Sequence, residues 1–160
     1  MASTNHEFKR DFKKGREAER LFENYLRVEY TCNTESSYAE GYFPGYDLST
    51  TATTGTILKY EVKWNAAYNK DLDFKNGTIV IELSKTLDGQ RVDSGLSLTT
   101  ADYYGFVLEG SDAFHIISTT DLKRLCFDPK LKQKKLLTDR NGYLLAIFDK
   151  PFLLSKMIVI

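Results

Sequence analysis

Glu61 and Lys63, separated only by Val62, place a carboxylate and an ammonium two positions apart in the run Ile57-Leu58-Lys59-Tyr60-Glu61-Val62-Lys63-Trp64. Charges set into a strand-like segment cost desolvation free energy unless something uses them. Side chains alternate along a strand, so Ile57, Lys59, Glu61 and Lys63 share one face and Leu58, Tyr60, Val62 and Trp64 the other. A carboxylate and an ammonium projecting together from a stiff element could hold a metal ion and an activated water beside a phosphate. Chance can supply so short a motif, so its meaning rests on the residues around it.

Three more acidic residues can be placed with it. Asp47 lies fourteen residues before Glu61, across a turn-rich connection, which puts the two carboxylates on neighbouring strands where they could bridge one divalent ion. Carboxylate oxygens and water are the ligands Mg²⁺ demands. Taken alone, Asp47 reads more readily as a turn-capping aspartate. Glu19 follows Phe12 by seven residues, a lag of only about 20° around a helix, so it sits on the apolar stripe between Phe12 and Phe22. A glutamate there needs a partner, either a salt bridge at the core edge or a share in the metal site. Lys63 could orient the attacking water or neutralise charge at phosphorus, or could simply pair with Glu61 or Asp47. Glu82, opposite in alternation to Ile79, Ile81 and Leu83, ranks below these. Gly15, one turn before Glu19, would let the helix approach another backbone closely.

The elements that must position these residues follow from periodicity. Thr4 and Glu7 form a capping box, and Phe8, Phe12, Ala18, Leu21, Phe22, Tyr25 and Leu26 recur at helical spacing to about residues 28–31. Residues 33–45 read as a loop or short edge strand, 46–48 as a brief strand, and 49–55 as a hairpin connection turning at Gly55. Strands are expected at 57–64 and 77–83, with polar loops at 65–76 and 84–96 and a short helix from Thr99 or Thr100. Residues 104–108 and 113–117 form a hairpin. Thr119 or Thr120 caps a helix carrying Leu122, Leu125 and Cys126. Asp139-Arg140-Asn141-Gly142 turns into a strand at 143–148, and 157–160 is a terminal strand or helix end. The order indicates a mixed α/β domain spanning 1–160.

Composition narrows the classes. No apolar run approaches the roughly 20 residues that span a bilayer, so no membrane partner is expected. Two cysteines, Cys32 and Cys126, form no disulfide framework and suit a reducing, cytoplasmic compartment. With only His6 and His115 as histidines, structural zinc is not expected. Net charge is zero, 22 basic against 22 acidic residues, yet the basic ones cluster. Lys9, Arg10, Lys13, Lys14, Arg16 and Arg20 form one cluster; Lys123, Arg124, Lys130, Lys132, Lys134 and Lys135 form another. These are either two solvated helix faces or two grips on a phosphate backbone. Tyr42, Phe43, Tyr46, Trp64 and Tyr68 could stack on bases, although such aromatics are more often core.

Lys14-Gly15-x-x-x-Glu19-Arg20, then Asp47, then Glu61-Val62-Lys63 resembles the PD-(D/E)XK nuclease superfamily, and the first motif is similar to that of archaeal-type Holliday junction resolvases. Thr100-Ala101-Asp102-Tyr103-Tyr104-Gly105-Phe106-Val107 also looks like a junction found after the core motif in small phage-encoded nucleases. The family's proline directly before the aspartate is here three positions earlier, as Pro44. The resemblance implies a restriction-endonuclease-like α/β fold, a central mixed β-sheet flanked by helices. It implies Mg²⁺, with Mn²⁺ as substitute, held by Glu19, Asp47, Glu61 and the Val62 carbonyl, with Lys63 catalytic. It further implies DNA as partner, in a prokaryotic or phage context, and a homodimer suits two-fold symmetric DNA. The competing expectation is a module that keeps the fold and binds DNA or a protein without cleaving.

Overall fold

The computed structural model describes residues 3–30, 33–36, 45–65, 77–108 and 111–160, and for 3–12, 29, 30, 33, 35, 36 and 65 the backbone only. The side chains of Thr4, His6, Glu7, Phe8, Lys9, Arg10 and Phe12, together with Cys32, Tyr42, Phe43, Pro44, Tyr68 and the loop at 66–76, lie outside the described residues.

Helix α1 runs Ser3–Tyr30. Its stripe resolves into Ala18, Phe22 and Leu26, four residues apart and buried, as one helical face requires. They pack on a six-stranded sheet of order β1-β2-β3-β6-β7-β10. Its strands are β1 (Asn33–Ser36), β2 (Leu48–Thr51), β3 (Ile57–Asn65), β6 (Tyr103–Leu108), β7 (Phe114–Ser118) and β10 (Ile158–Val159). Only β3 and β6 pair in parallel, so the sheet is mixed. A second, antiparallel sheet of order β5-β4-β9-β8 is built from β4 (Thr78–Leu87), β5 (Gln90–Asp93), β8 (Lys134–Thr138) and β9 (Tyr143–Asp149).

The alternation of β6 separates two cores. Val107 joins Tyr60, Val62 and Leu48 under α1, where Phe22 meets Tyr60 and Phe114 edge-on, each at 5.4 Å between ring centroids. Tyr104, Phe106 and Leu108 point the other way, into a core shared with Ile79, Ile81 and Leu83 of β4 and Ala146 and Phe148 of β9. Helices α2 (Thr119–Phe127) and α3 (Lys150–Leu154) complete that core through Leu122, Cys126 and Leu153.

Close approach between helix and sheet occurs at Gly105 rather than Gly15. A Cβ on Gly105 would lie 2.9 Å from Phe22 Cζ, whereas nothing described lies within 4 Å of one on Gly15. Residues 84–96 are not a loop. They finish β4, turn at Asp88-Gly89, return as β5 and enter a 3₁₀ turn at Gly95–Ser97. Both Asp88 (φ 49°) and Gly89 (φ 77°) adopt the left-handed backbone a tight two-residue hairpin needs. No helix begins at Thr99 or Thr100. The Ser118 hydroxyl, not Thr119 or Thr120, caps α2 by accepting from Asp121 N–H at 3.0 Å.

Candidate active site

The residue before β2 decides how the site is built. The Asp47 N–H donates to the Tyr60 carbonyl at 2.9 Å, and its Oδ2 accepts from the Val62 N–H at 2.7 Å. The aspartate therefore takes over the β3 edge where the β2 ladder stops, after Leu48 pairs with Tyr60. The ladder ends there, and the Asp47 carboxylate stands beside β3 close enough for its charge to act on Glu61. The Val62 carbonyl lies on the same side of the strand as its N–H, toward Asp47. The capping reading of Asp47 is what the structure displays, with Oδ2 closing the sheet edge.

Two loop residues hold that turn in place. The Thr99 hydroxyl donates to the Gly45 carbonyl at 2.7 Å, and the Thr100 N–H donates to the same oxygen at 2.9 Å. Asp102 then locks the start of β6 onto β3, donating its N–H to the Lys59 carbonyl and accepting the Lys59 N–H, both at 2.8 Å.

Glu61 and Lys63 share a face of β3, and the Lys63 ammonium donates to Glu61 Oε1. Glu61 is recessed at 15% side-chain exposure while Lys63, at 44%, is reachable from solvent. Glu19 on α1 is also recessed and pairs with Arg16 at 3.6 Å, so the expected salt bridge is present. It belongs to the cluster as well: the Lys63 and Glu61 charges act on it, and its own charge acts on Asp47.

The electrostatics agree. Burial raises the carboxyl of Glu19 above its usual range against the pull of Arg16 and Lys63. Burial raises Asp47 against Lys63 and the Val62 N–H, and raises Glu61 against Lys63, with Asp47 and Glu82 adding to the rise at Glu61. For Lys63, burial pulls the ammonium down, but Glu61, Asp47 and Glu82 outweigh it and hold it protonated. Four carboxylates thus face two cations, Lys63 and Arg16, and a divalent cation would balance them.

Among the described residues no three His, Cys, Asp or Glu side chains are grouped closely enough to hold a metal ion as they stand. Carboxylates from α1, from the turn before β2 and from β3, with a backbone carbonyl beside them, are the oxygen donors that Mg²⁺ takes.

Glu82 on β4 accepts from the Ser94 hydroxyl and lines a cleft of about 260 Å³ with Lys63, Tyr104, Gly95, Val80 and Leu145. Two neighbours of the site, Arg16 and Tyr104, stand in sequence motifs that do not by themselves place them there. Arg16 was readable as the i,i+3 partner of Glu19. Tyr104 becomes visible only once β6 is registered against β3, where it is the partner of Glu61.

The basic clusters resolve differently from two helix faces. On α1, Lys13 and Arg20 are exposed, while Lys14 lies over the Trp64 ring, 5.2 Å from its centroid. The second cluster spans the end of α2, a turn and β8. Within it Lys134 donates to the Cys126 and Asp128 carbonyls at 2.6 and 2.7 Å, and Lys130, Lys132 and Lys135 are exposed. Trp64 packs against the α1 core, and Tyr46 is half-buried beneath the Lys59 ammonium.

No protein-family model matches the chain. No curated protein matches it either. Among solved structures it is similar to a bacterial homing endonuclease, I-Ssp6803I, with a TM-score of 0.54, 17% identity and 89% of each chain covered. The fold is restriction-endonuclease-like. At that identity the likeness speaks for architecture alone. No helix among the described residues is long and apolar enough to cross a membrane.

Proposed function

We propose that the protein is a metal-dependent endodeoxyribonuclease of the PD-(D/E)XK type that hydrolyses phosphodiester bonds. The observation carrying this reading is the gathering of Asp47, clamped to the Val62 N–H, with Glu61, the Lys63 ammonium and Glu19 in one electrostatic cluster. The restriction-endonuclease-like fold supports it.

Asp47, Glu61, Glu19 and the Val62 carbonyl would hold Mg²⁺, or Mn²⁺ in its place. Bound there, the ion would supply Lewis-acid polarisation of the phosphate. The chain's own residues do the rest. Lys63 stays protonated, so it acts as a fixed charge and donor rather than a base. Its half-buried ammonium can orient a water toward phosphorus and stabilise the charge that builds on the phosphate oxygens. Hydrolysis places the water's OH on phosphorus and its proton on the leaving oxygen. Lys13 and Arg20 on α1, and Lys130, Lys132 and Lys135 near β8, would hold the backbone of DNA. A homodimer would give double-strand cleavage, and a branched junction is one substrate to test.

One observation favours the second reading, a non-cleaving module of the same fold: Glu61 already satisfies Lys63. Supercoiled plasmid and a four-way junction, incubated with Mg²⁺, Mn²⁺ or EDTA, separate the two. Metal-dependent cleavage that disappears in Glu61→Ala and Lys63→Ala is the expected result. Binding without cleavage under every metal condition would leave only the module.

A further inference from the structure

Tyr104 is 1% exposed, yet its hydroxyl has no hydrogen-bond partner among the described residues. A buried hydroxyl left unsatisfied costs about 1–3 kcal/mol, so such groups are normally paired with protein or with ordered water. The Thr99 hydroxyl, which donates to Gly45, acts on the phenol as a nearby acceptor without closing a bond of normal geometry. Tyr104 also lines the cleft of about 260 Å³ whose other polar walls are Lys63 and Glu82. At about 30 Å³ of liquid volume per molecule, that space admits several waters, and three polar groups of mixed donor and acceptor character suit one.

The chemistry of the three groups is complementary. Burial, then the Glu61 charge, push the Tyr104 phenol far above its usual range against the pull of Thr99, so it remains a donor. The Glu82 carboxylate is fixed by Ser94 and accepts. Lys63 donates from the β3 side. Gly95 lets the wall it forms lie directly against β4, since its Cβ position would be 2.3 Å from the Glu82 carbonyl oxygen.

We infer that Tyr104 and Glu82 hold an ordered water in this cleft and hand it to Lys63, which makes Tyr104 a positioning residue for the attacking water. This inference rests on the nuclease reading, and its test keeps the two apart. High-resolution crystal structures of the wild-type chain and of Tyr104→Phe show whether the water exists, and cleavage kinetics with Mg²⁺ show whether it is used.

The expected result is a water within hydrogen-bond distance of Tyr104 Oη and of Glu82 or Lys63, lost in Tyr104→Phe. That variant should lose about tenfold in kcat, with KM and Mg²⁺ affinity unchanged and Tm no lower. A purely structural orphan would behave otherwise: the variant would gain stability and cleave at the wild-type rate. That outcome, or a wild-type cleft without the water, overturns the inference. Water present in a wild-type protein that cleaves no DNA would overturn the nuclease reading, and the role of Tyr104 with it.

Discussion

At the scale of residues, the acidic cluster works against folding when no cation is bound. Folding raises the carboxyls of Glu19, Asp47 and Glu61 above their ordinary values. Their contribution to stability is therefore fully present below the unfolded values and is lost as pH rises through the raised folded ones. Two outcomes follow for differential scanning calorimetry. In EDTA, Glu19→Gln and Asp47→Asn should melt above wild type at pH 8, with the difference vanishing near pH 4, at about 2–4 °C per kcal/mol for a chain of this size. With Mg²⁺ the wild-type Tm should rise, more at pH 8 than at pH 5, because ligand carboxylates must be deprotonated; neither variant should match that gain. Substitutions that improve the empty protein while removing its proposed activity are the usual mark of a functional cluster.

At the scale of elements, β3 was readable because its charges interrupt an alternating apolar segment, and α1 because its stripe persists over several turns. Elsewhere the sequence signal was present but outweighed. Asp88-Gly89 is a hairpin dipeptide, yet the polar residues around it suggested a loop. The reason is that β5 is largely exposed and needs no apolar alternation. Strand β8 carried no signal, since Lys135, Leu136, Leu137 and Thr138 are all exposed and the pairing with β9 alone defines it. The proposed ligands could be placed from motif spacing, whereas the Asp47 clamp and the Tyr104 cleft depend on strand register. The helix–sheet contact makes its own prediction. Gly105→Ala must push Phe22 away, and with it the helix that carries Glu19. We expect a loss of about 1–3 kcal/mol by urea denaturation, together with reduced cleavage, because α1 shifts as a unit.

At the scale of the whole molecule, a chain with no net charge can hold DNA only through local clusters. Reversing exposed charges, as in Lys130→Glu with Lys132→Glu, should weaken DNA binding and flatten its salt dependence while leaving Tm unchanged. Fluorescence anisotropy in Ca²⁺ across a salt series would read this, and an unchanged slope would remove that patch from the interface. The Asp47 clamp has a consequence at this scale too. Because the carboxylate that closes the β3 edge is also a proposed ligand, most losses of that residue break a backbone contact along with the chemistry, whereas Lys63 bonds only the Glu61 side chain and its loss leaves the sheet edge closed. In a host harmed by stray cleavage, survivors sequenced from a random library should carry full-length, well-expressed Lys63 variants more often than Asp47 ones. The route by which such a gene falls silent is therefore written into which side chain the sheet can spare.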